Sequence, residues 1–162
     1  MTARAARRSR RTPEMEALNQ PTVDFLILAD RAEVQGNKLY VMGGGWDRIA
    51  LQTFEAPALT SFAVGILVPW NACNEQHTMT ITIETADTAP LDFRAEVGFN
   101  AGRPPFAQPG DPQRVILAFP VIPVTFPAPG TYVFVVAIDG IVRKRVRFYA
   151  VSASGNPAMP MP

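Results

Sequence analysis

The segment from Trp70 to His77 carries the densest set of reactive side chains in the chain. It contains the only cysteine, Cys73, the only histidine, His77, and a carboxylate between them, Glu75. A thiol nucleophile needs a base in contact with it and an oxyanion hole. Nothing in this segment marks an oxyanion hole, and its asparagines are typical of turns. The segment therefore favours a structural loop, and we predict that the protein is not an enzyme.

The cysteine and histidine counts also restrict metal sites and cofactors. One Cys and one His exclude an intrachain disulfide and any site with several thiolates or imidazoles. Asp30 and Asp47 could approach each other across the first hairpin, but two carboxylates are few for calcium. The run Gly43-Gly44-Gly45 lacks the spacing and the following helix of a phosphate-binding loop. The sequence thus predicts no metal and no cofactor.

The remaining candidates are contact residues on loops and on one strand. Residues 100–113 include four prolines and predict a long surface loop, which would present Arg103 and Phe106. Three arginines alternate near the end of the chain and are expected to form an exposed row. They would either bind an acidic partner or a polyanion, or pair with neighbouring acids such as Glu84 or Glu96. These three are Arg143, Arg145 and Arg147.

The elements that must position these residues are strands. Apolar and polar side chains alternate with a period of two through residues 21–151, and no segment has helical periodicity. Residues 77–84 are typical, with Met79, Ile81 and Ile83 on one face and threonines on the other. About eight such segments predict an all-β protein, an antiparallel immunoglobulin-like β-sandwich. A jelly roll or a small barrel is the alternative.

The last hairpin poses a question of register. A two-residue loop at Asp139-Gly140 would pair Ile138 with Ile141. A bulge at Gly140 would instead pair Ala137 with Ile141, and every side chain of one strand would then change face. The bulge is predicted because it places all three arginines outside, whereas burying them without partners would cost more. The residues then expected inside are Tyr132, Phe134, Val136, Val142, Val146 and Phe148.

Composition and charge limit the organisation of the chain. Its 162 residues, 48% of them hydrophobic, suit one domain with a real core. We predict a disordered basic arm at 1–20, the β-domain at 21–151 and a disordered tail at 152–162. The net charge of +1 gives no overall attraction to nucleic acid or membrane. No apolar run suits a signal peptide or a membrane span, so a cytoplasmic location is expected.

Several motifs carry a resemblance to a known family. They are Leu28-Ala29-Asp30, the segment 36–47 (GNKLYVMGGGWD), Pro69-Trp70-Asn71 with Asn74 and His77, Gly102-Arg103-Pro104-Pro105, and Pro129-Gly130-Thr131-Tyr132. Over about residues 22–151 the chain resembles a bacterial, actinobacterial-type family of small all-β proteins of unknown function. The block GK-L-x-V-x-GGGW-D is its most specific part, and here Asn37 stands between the Gly and the Lys. The resemblance implies a fold but no catalytic residue, ligand or partner.

These observations predict a non-enzymatic β-sandwich that acts as a protein–protein interaction or structural module. Its partner would be another protein or a second copy of the chain, because sandwiches have exposed strand edges. One alternative is a domain that binds a small ligand or carbohydrate through Tyr40, Trp46 and Trp70. The other alternative is polyanion binding through the arginine-rich arm.

Overall fold

The computed structural model describes residues 19–153 and contains nine strands. The predicted arm and tail lie almost wholly outside the described residues. No α-helix occurs in residues 19–153, and no helix there could cross a lipid bilayer. The strands are β1 Thr22–Gln35, β2 Lys38–Gly44, β3 Arg48–Leu51, β4 Pro57–Val68, β5 Gln76–Thr85, β6 Pro90–Asn100, β7 Gln113–Thr125, β8 Gly130–Ile138 and β9 Ile141–Ser152.

The nine strands form two sheets. The four-stranded sheet has the order β2-β1-β4-β7, and the five-stranded sheet, which is strongly curled, has the order β3-β9-β8-β5-β6. The all-β prediction is therefore confirmed, and its eight strands are all present. The ninth, β3, was missed because it has only four residues, and it pairs with β9 in parallel. The immunoglobulin-like assignment stays a prediction.

One hydrophobic core lies between the sheets. It forms because each strand directs alternate apolar side chains inward, as Met79, Ile81 and Ile83 of β5 do. Aromatic rings join the layers at its centre. The Phe62 ring of β4 lies 5.4 Å from the Phe134 ring of β8, measured between centroids.

The last hairpin differs from the predicted register. Ile138 pairs directly with Ile141, because Asp139 and Gly140 both adopt positive φ and close a two-residue turn. The register shift lies further along, where Arg143 is the extra residue between the Val142 and Lys144 pairs. The predicted bulge position was wrong.

The consequences for side-chain placement are mixed. Beyond the shift, Tyr132, Phe134 and Val136 are buried as predicted, together with Phe148, while Val146 is half-buried. Val142 is the exception: it was expected inside and is 48% exposed. The bulge lies at Arg143, three residues further along than predicted. The side chains therefore lie on the predicted faces only beyond Arg143.

The first hairpin curls toward the far edge of its own sheet. Ala29, Ala32 and Ala63 form a second small buried cluster, against which Leu39 of β2 and Ala118 of β7 both pack. These two strands lie at opposite edges of the sheet, so the sheet bends to bring them to one cluster. The small alanine side chains permit this close approach.

Candidate functional site

Three connections meet at one end of the molecule, which we call the loop end. They are residues 69–75 between β4 and β5, residues 101–112 between β6 and β7, and the turn 139–140 between β8 and β9. The backbone N–H of Asn74 donates to the carbonyl of Ala101 at 2.8 Å and joins the first two connections. The two longer loops of the loop end are therefore held together by a backbone hydrogen bond.

Trp70 and Arg103 form the strongest link between the two longer loops. Trp70 begins a short 3₁₀ helix, Trp70–Ala72. The guanidinium of Arg103 lies 4.6 Å from the centre of the Trp70 ring, and its Nη2 donates to the Trp70 carbonyl at 2.7 Å. Stacking and hydrogen bonding by one planar guanidinium fix both loops at this point.

The 101–112 loop consists of two hydrogen-bonded turns. The N–H of Ala107 donates to Pro104, and the N–H of Asp111 donates to Gln108, both at 3.0 Å. Phe106 lies within the first turn and is 87% exposed, the most exposed large hydrophobic side chain of the described residues. The loop thus holds an aromatic ring out in solvent from a closed turn.

His77 joins the first loop to the β8–β9 turn. Its Nε2 lies 2.9 Å from the carbonyl oxygen of Ala72, and its Nδ1 lies 2.8 Å from Oδ2 of Asp139. Oδ1 of Asp139 accepts the backbone N–H of Thr78 at 2.9 Å. Because both partners of the ring are acceptors, both contacts are hydrogen bonds only when both ring nitrogens carry a proton, so this geometry favours the imidazolium form of His77.

The pKa values agree with this charged pair. Burial, the largest influence, tends to lower the pKa of His77, but its bonds to Ala72 and Asp139 and the charges of Asp139 and Glu75 raise it above its ordinary 6.5. Burial tends to raise the pKa of Asp139, but the Thr78 N–H, His77 and the charge of Arg143 lower it below its ordinary 3.8. His77 and Asp139 therefore form an ion pair, which we call the brace because it joins the first loop to the β8–β9 turn.

Cys73 and His77 do not form a catalytic pair in this arrangement. The Cys73 thiol is buried and lies 3.4 Å from the carbonyl oxygen of Pro69. The ring nitrogens of His77 are already bound to Ala72 and Asp139. In segment 70–77, Cys73 and His77 therefore stabilise the loop by their contacts with carbonyl and carboxylate oxygens.

The predicted arginine row divides into two parts. Arg145 and Arg147 lie on the outer face of the five-stranded sheet, and Nη1 of Arg145 pairs with Glu84 at 2.7 Å. Arg143 is half-buried at the bulge, where its Nη2 binds Gln20 and its Nε has no hydrogen-bond partner among the described residues. Only two of the three arginines share a surface.

The aromatic residues proposed for ligand binding lie in different surroundings. Tyr40 is exposed on β2, Trp46 packs partly buried against the core, and Trp70 is covered by Arg103. Three surface depressions of about 330, 530 and 350 Å³ are lined by other residues. Nothing in this geometry favours the ligand-binding alternative.

Replacing Arg103 by alanine should loosen the 101–112 loop without unfolding the domain. The change removes the stack on Trp70 and the bonds to its carbonyl, a contribution of about 1 kcal/mol. Hydrogen exchange measured by mass spectrometry should become faster in residues 101–112 and stay unchanged in β5. Arg94→Ala, which removes an exposed ion pair with Glu96, is the control. Unchanged exchange in the loop of the Arg103 variant would show that Arg103 does not brace it.

Sequence reasoning found Arg103, Phe106 and His77 but missed their partners. Asp139 was assigned only to a turn, and it lies 62 positions from His77. Trp70 was considered as a ligand-stacking ring, and it lies 33 positions from Arg103. No local pattern links such distant residues, although a turn aspartate and a lone histidine could have been compared as a charged pair.

Residues 24–151 match the model of DUF6941, a family of unknown function. The chain belongs to this family. The resemblance to a domain family of unknown function is confirmed at that level, over most of the chain. No curated protein matches this DUF6941 chain.

Two solved structures show distant likenesses. One is a Pseudomonas fluorescens alkylpurine DNA glycosylase, AlkC, bound to DNA containing an abasic site analog, with a TM-score of 0.42 and 10% identity. The match covers 82% of this chain and 30% of the glycosylase, so the chain spans under a third of that protein. The other is an X-ray structure of a structural-genomics target, SoR45, with a TM-score of 0.31, 12% identity and coverage of 89% and 95%.

Proposed function

We propose that this DUF6941 protein is a non-enzymatic interaction module that binds a partner protein through the loop end, with Phe106 as the anchor. The observation that carries the proposal is the 87% exposure of Phe106 in a closed turn. An exposed phenyl ring has no stabilising contact of its own in the monomer. It would gain burial in an apolar pocket of a partner.

The bracing of the loop supports this role. Binding is weakened by the entropy lost when a flexible loop is ordered. Here Arg103 holds the start of the loop to Trp70, and two hydrogen-bonded turns shape the rest. A pre-ordered aromatic side chain is the type of residue that contributes most at protein interfaces.

The other parts of the proposal have separate support. The non-enzymatic role is supported by the engagement of Cys73 and His77 with carbonyl and carboxylate oxygens. A cytoplasmic location fits a single unpaired cysteine. An immunoglobulin-like relationship fits a two-sheet core with binding loops gathered at one end.

Replacing Phe106 by alanine should weaken partner binding strongly and leave the fold intact. Partners captured from native lysate by the full chain should be depleted roughly tenfold to thirtyfold with the variant, because the loss of a buried aromatic anchor has that effect. Quantitative mass spectrometry of the captured proteins measures the ratio. The thermal unfolding of the variant should match that of the wild type, since exposed substitutions change stability little.

Leu59→Ala is the matched control, because Leu59 is also an exposed apolar residue but lies at the opposite end of β4. Its captured proteins should equal those of the wild type. Equal capture by the wild type and the Phe106 variant would refute the proposed function.

A further inference from the structure

The N-terminal segment, residues 1–18, joins the described domain at the loop end. Oδ1 of Asn19 accepts a hydrogen bond from Nδ2 of Asn71 at 2.9 Å. Gln20 accepts one from Nη2 of Arg143, which lies in β9 just after the β8–β9 turn. Strand β1 then begins beside the end of β4. Two side-chain contacts and one strand pairing therefore fix the point at which this segment leaves the domain.

This point lies close to the residues that hold the Phe106 loop. Asn71 follows Trp70 directly in the 3₁₀ helix, and the Trp70 ring carries the stacked guanidinium of Arg103. Arg103 stands three positions before Phe106 in the same loop. The N-terminal segment and the proposed anchor therefore belong to the same end of the molecule and are joined by a short series of contacts.

The N-terminal segment is strongly basic. It contains five arginines, which we call the N-terminal arginines, and two glutamates, so its charge is five minus two, or +3. The first 13 residues contain no acid at all. The N-terminal arginines are Arg4, Arg7, Arg8, Arg10 and Arg11, and the glutamates are Glu14 and Glu16.

The three connections of the loop end have little net charge of their own. The two longer ones contain Arg103 and the acids Glu75 and Asp111, a sum of one minus two, or −1. In the third connection, Asp139 is paired with His77. The N-terminal segment therefore adds net positive charge beside a nearly neutral set of loops.

The length of the segment keeps part of this charge near the loop end. A fully extended chain spans at most about 3.6 Å per residue. Arg10 and Arg11 are nine and eight residues from Asn19, so their Cα atoms lie within about 32 Å of the Asn19 Cα atom. Charges held beside a binding surface steer an oppositely charged partner toward it and raise the rate of association.

We propose that the partner bound at the loop end is an acidic protein, which contacts Phe106 through an apolar pocket and the N-terminal arginines through carboxylates around that pocket. This inference rests on the proposed function and specifies the chemistry of its partner. Interfaces commonly surround a buried apolar anchor with a polar rim. Arginine suits such a rim because its planar guanidinium binds a carboxylate with two hydrogen bonds.

An acidic protein fits these observations better than nucleic acid does. Contacts with phosphates supply most of the affinity for nucleic acid, so the surface around the anchor would need to be basic. The loops around Phe106 instead include the acids Glu75 and Asp111. An exposed phenyl ring with positive charge to one side of it matches a protein surface that has an apolar pocket and acidic residues beside it.

Crosslinking from two positions tests whether the N-terminal segment and the anchor contact the same partner. A benzophenone side chain is placed in the full chain either at Ser9, between the N-terminal arginines, or at Phe106. Inside cells, both positions should give adducts with the same protein, and the sequence of that protein should contain more acidic than basic residues. Leu59, at the opposite end of β4, is the control position and should give no such adduct.

Charge substitutions measure the contribution of the N-terminal arginines. A full chain with all five replaced by glutamine should capture this protein about tenfold less well than the wild type. Replacement of all five by lysine is the matched control and should retain capture, because it keeps the charge. Raising the salt concentration from about 0.05 to 0.5 M should weaken capture by the wild type and change capture by the glutamine variant little.

The outcomes separate this inference from the proposed function. Absence of adducts at position 106 refutes the proposed function, and the acidic-partner inference with it. Adducts at position 106 with none at Ser9, or with different proteins at Ser9, overturn only the acidic partner. A shared adduct protein without an acidic excess, or unchanged capture by the glutamine variant, overturns it as well. Adducts at Ser9 that nuclease removes would assign the segment to nucleic acid and also overturn it.

Discussion

Replacing Phe134 by alanine is expected to lower the free energy of unfolding by about 3–5 kcal/mol. Phe134 is 1% exposed and lies at the centre of the core. Its ring centroid is 4.9 Å from that of Phe148 and 5.4 Å from that of Phe62 in the opposite sheet. Its removal leaves a cavity between the sheets that the surrounding side chains cannot fill. Equilibrium denaturation by urea measures the change.

Val142→Ala is the matched control on the same hairpin. The register predicted from the sequence buries Val142, whereas the observed register leaves it 48% exposed. Its replacement should therefore change stability by no more than about 0.5 kcal/mol. A large loss for Val142→Ala together with a small loss for Phe134→Ala would contradict the observed pairing of β8 and β9.

Asp139→Asn is expected to destabilise the protein by about 1–3 kcal/mol near pH 5.5, and by less near pH 9. Asparagine keeps the left-handed turn and an acceptor for the Thr78 N–H, but it removes the negative charge beside His77. The Asp139 side chain is 45% exposed, so solvent screens part of the interaction. Chemical denaturation of both proteins across this pH range measures the difference.

The direction of the pH dependence follows from the two pKa shifts. The folded pKa of His77 is raised, so its contribution is complete below 6.5 and is lost as the pH rises through the raised value. The folded pKa of Asp139 is lowered, so its contribution is present above 3.8 and is lost as the pH falls through the lowered value. The brace therefore stabilises most between about pH 4 and 6.5.

A double-mutant cycle with His77→Gln isolates the pair. If the imidazolium and the carboxylate interact, the double variant should lose less stability than the two single variants combined. The coupling should be present at pH 5.5 and smaller at pH 9. A coupling that is absent, or that increases with pH, would show that His77 is neutral in the folded protein.

The strands could be predicted because their signal is local. In β5 the threonines alternate with Met79, Ile81 and Ile83, and each of these three is fully buried. A period of two in one segment is enough to define a half-buried strand. The four residues of β3 are too few to show a period, and their parallel partner β9 is about 100 positions away.

The register of the last hairpin shows the limit of such reasoning. The need to expose Arg145 and Arg147 was predicted, and Phe134 is accordingly buried. The bulge position could not be predicted, because it depends on the turn at Asp139. Asp139 accepts a positive φ there while binding His77 and Thr78, and these contacts arise only in the folded protein.

For the candidate site, the exposed residues could be predicted from the sequence, but the contacts between distant residues could not. Its exposed residues, Arg103 and Phe106, follow from the proline-rich loop, which is a local feature. The contacts that brace the loop end bring together Trp70 and Arg103, and Asp139 and His77, which are far apart in the sequence. They require the strand order of both sheets, which residue alternation does not specify.

Photocrosslinking at position 106 inside cells tests the central claim most directly. A benzophenone side chain in place of Phe106 should give one or a few discrete adducts with partner proteins, while the same side chain at Leu59 should give none of them. Arg103→Ala should reduce the yield at position 106. Absence of adducts at position 106, or the same adducts from both positions, would contradict a recognition role for the loop end.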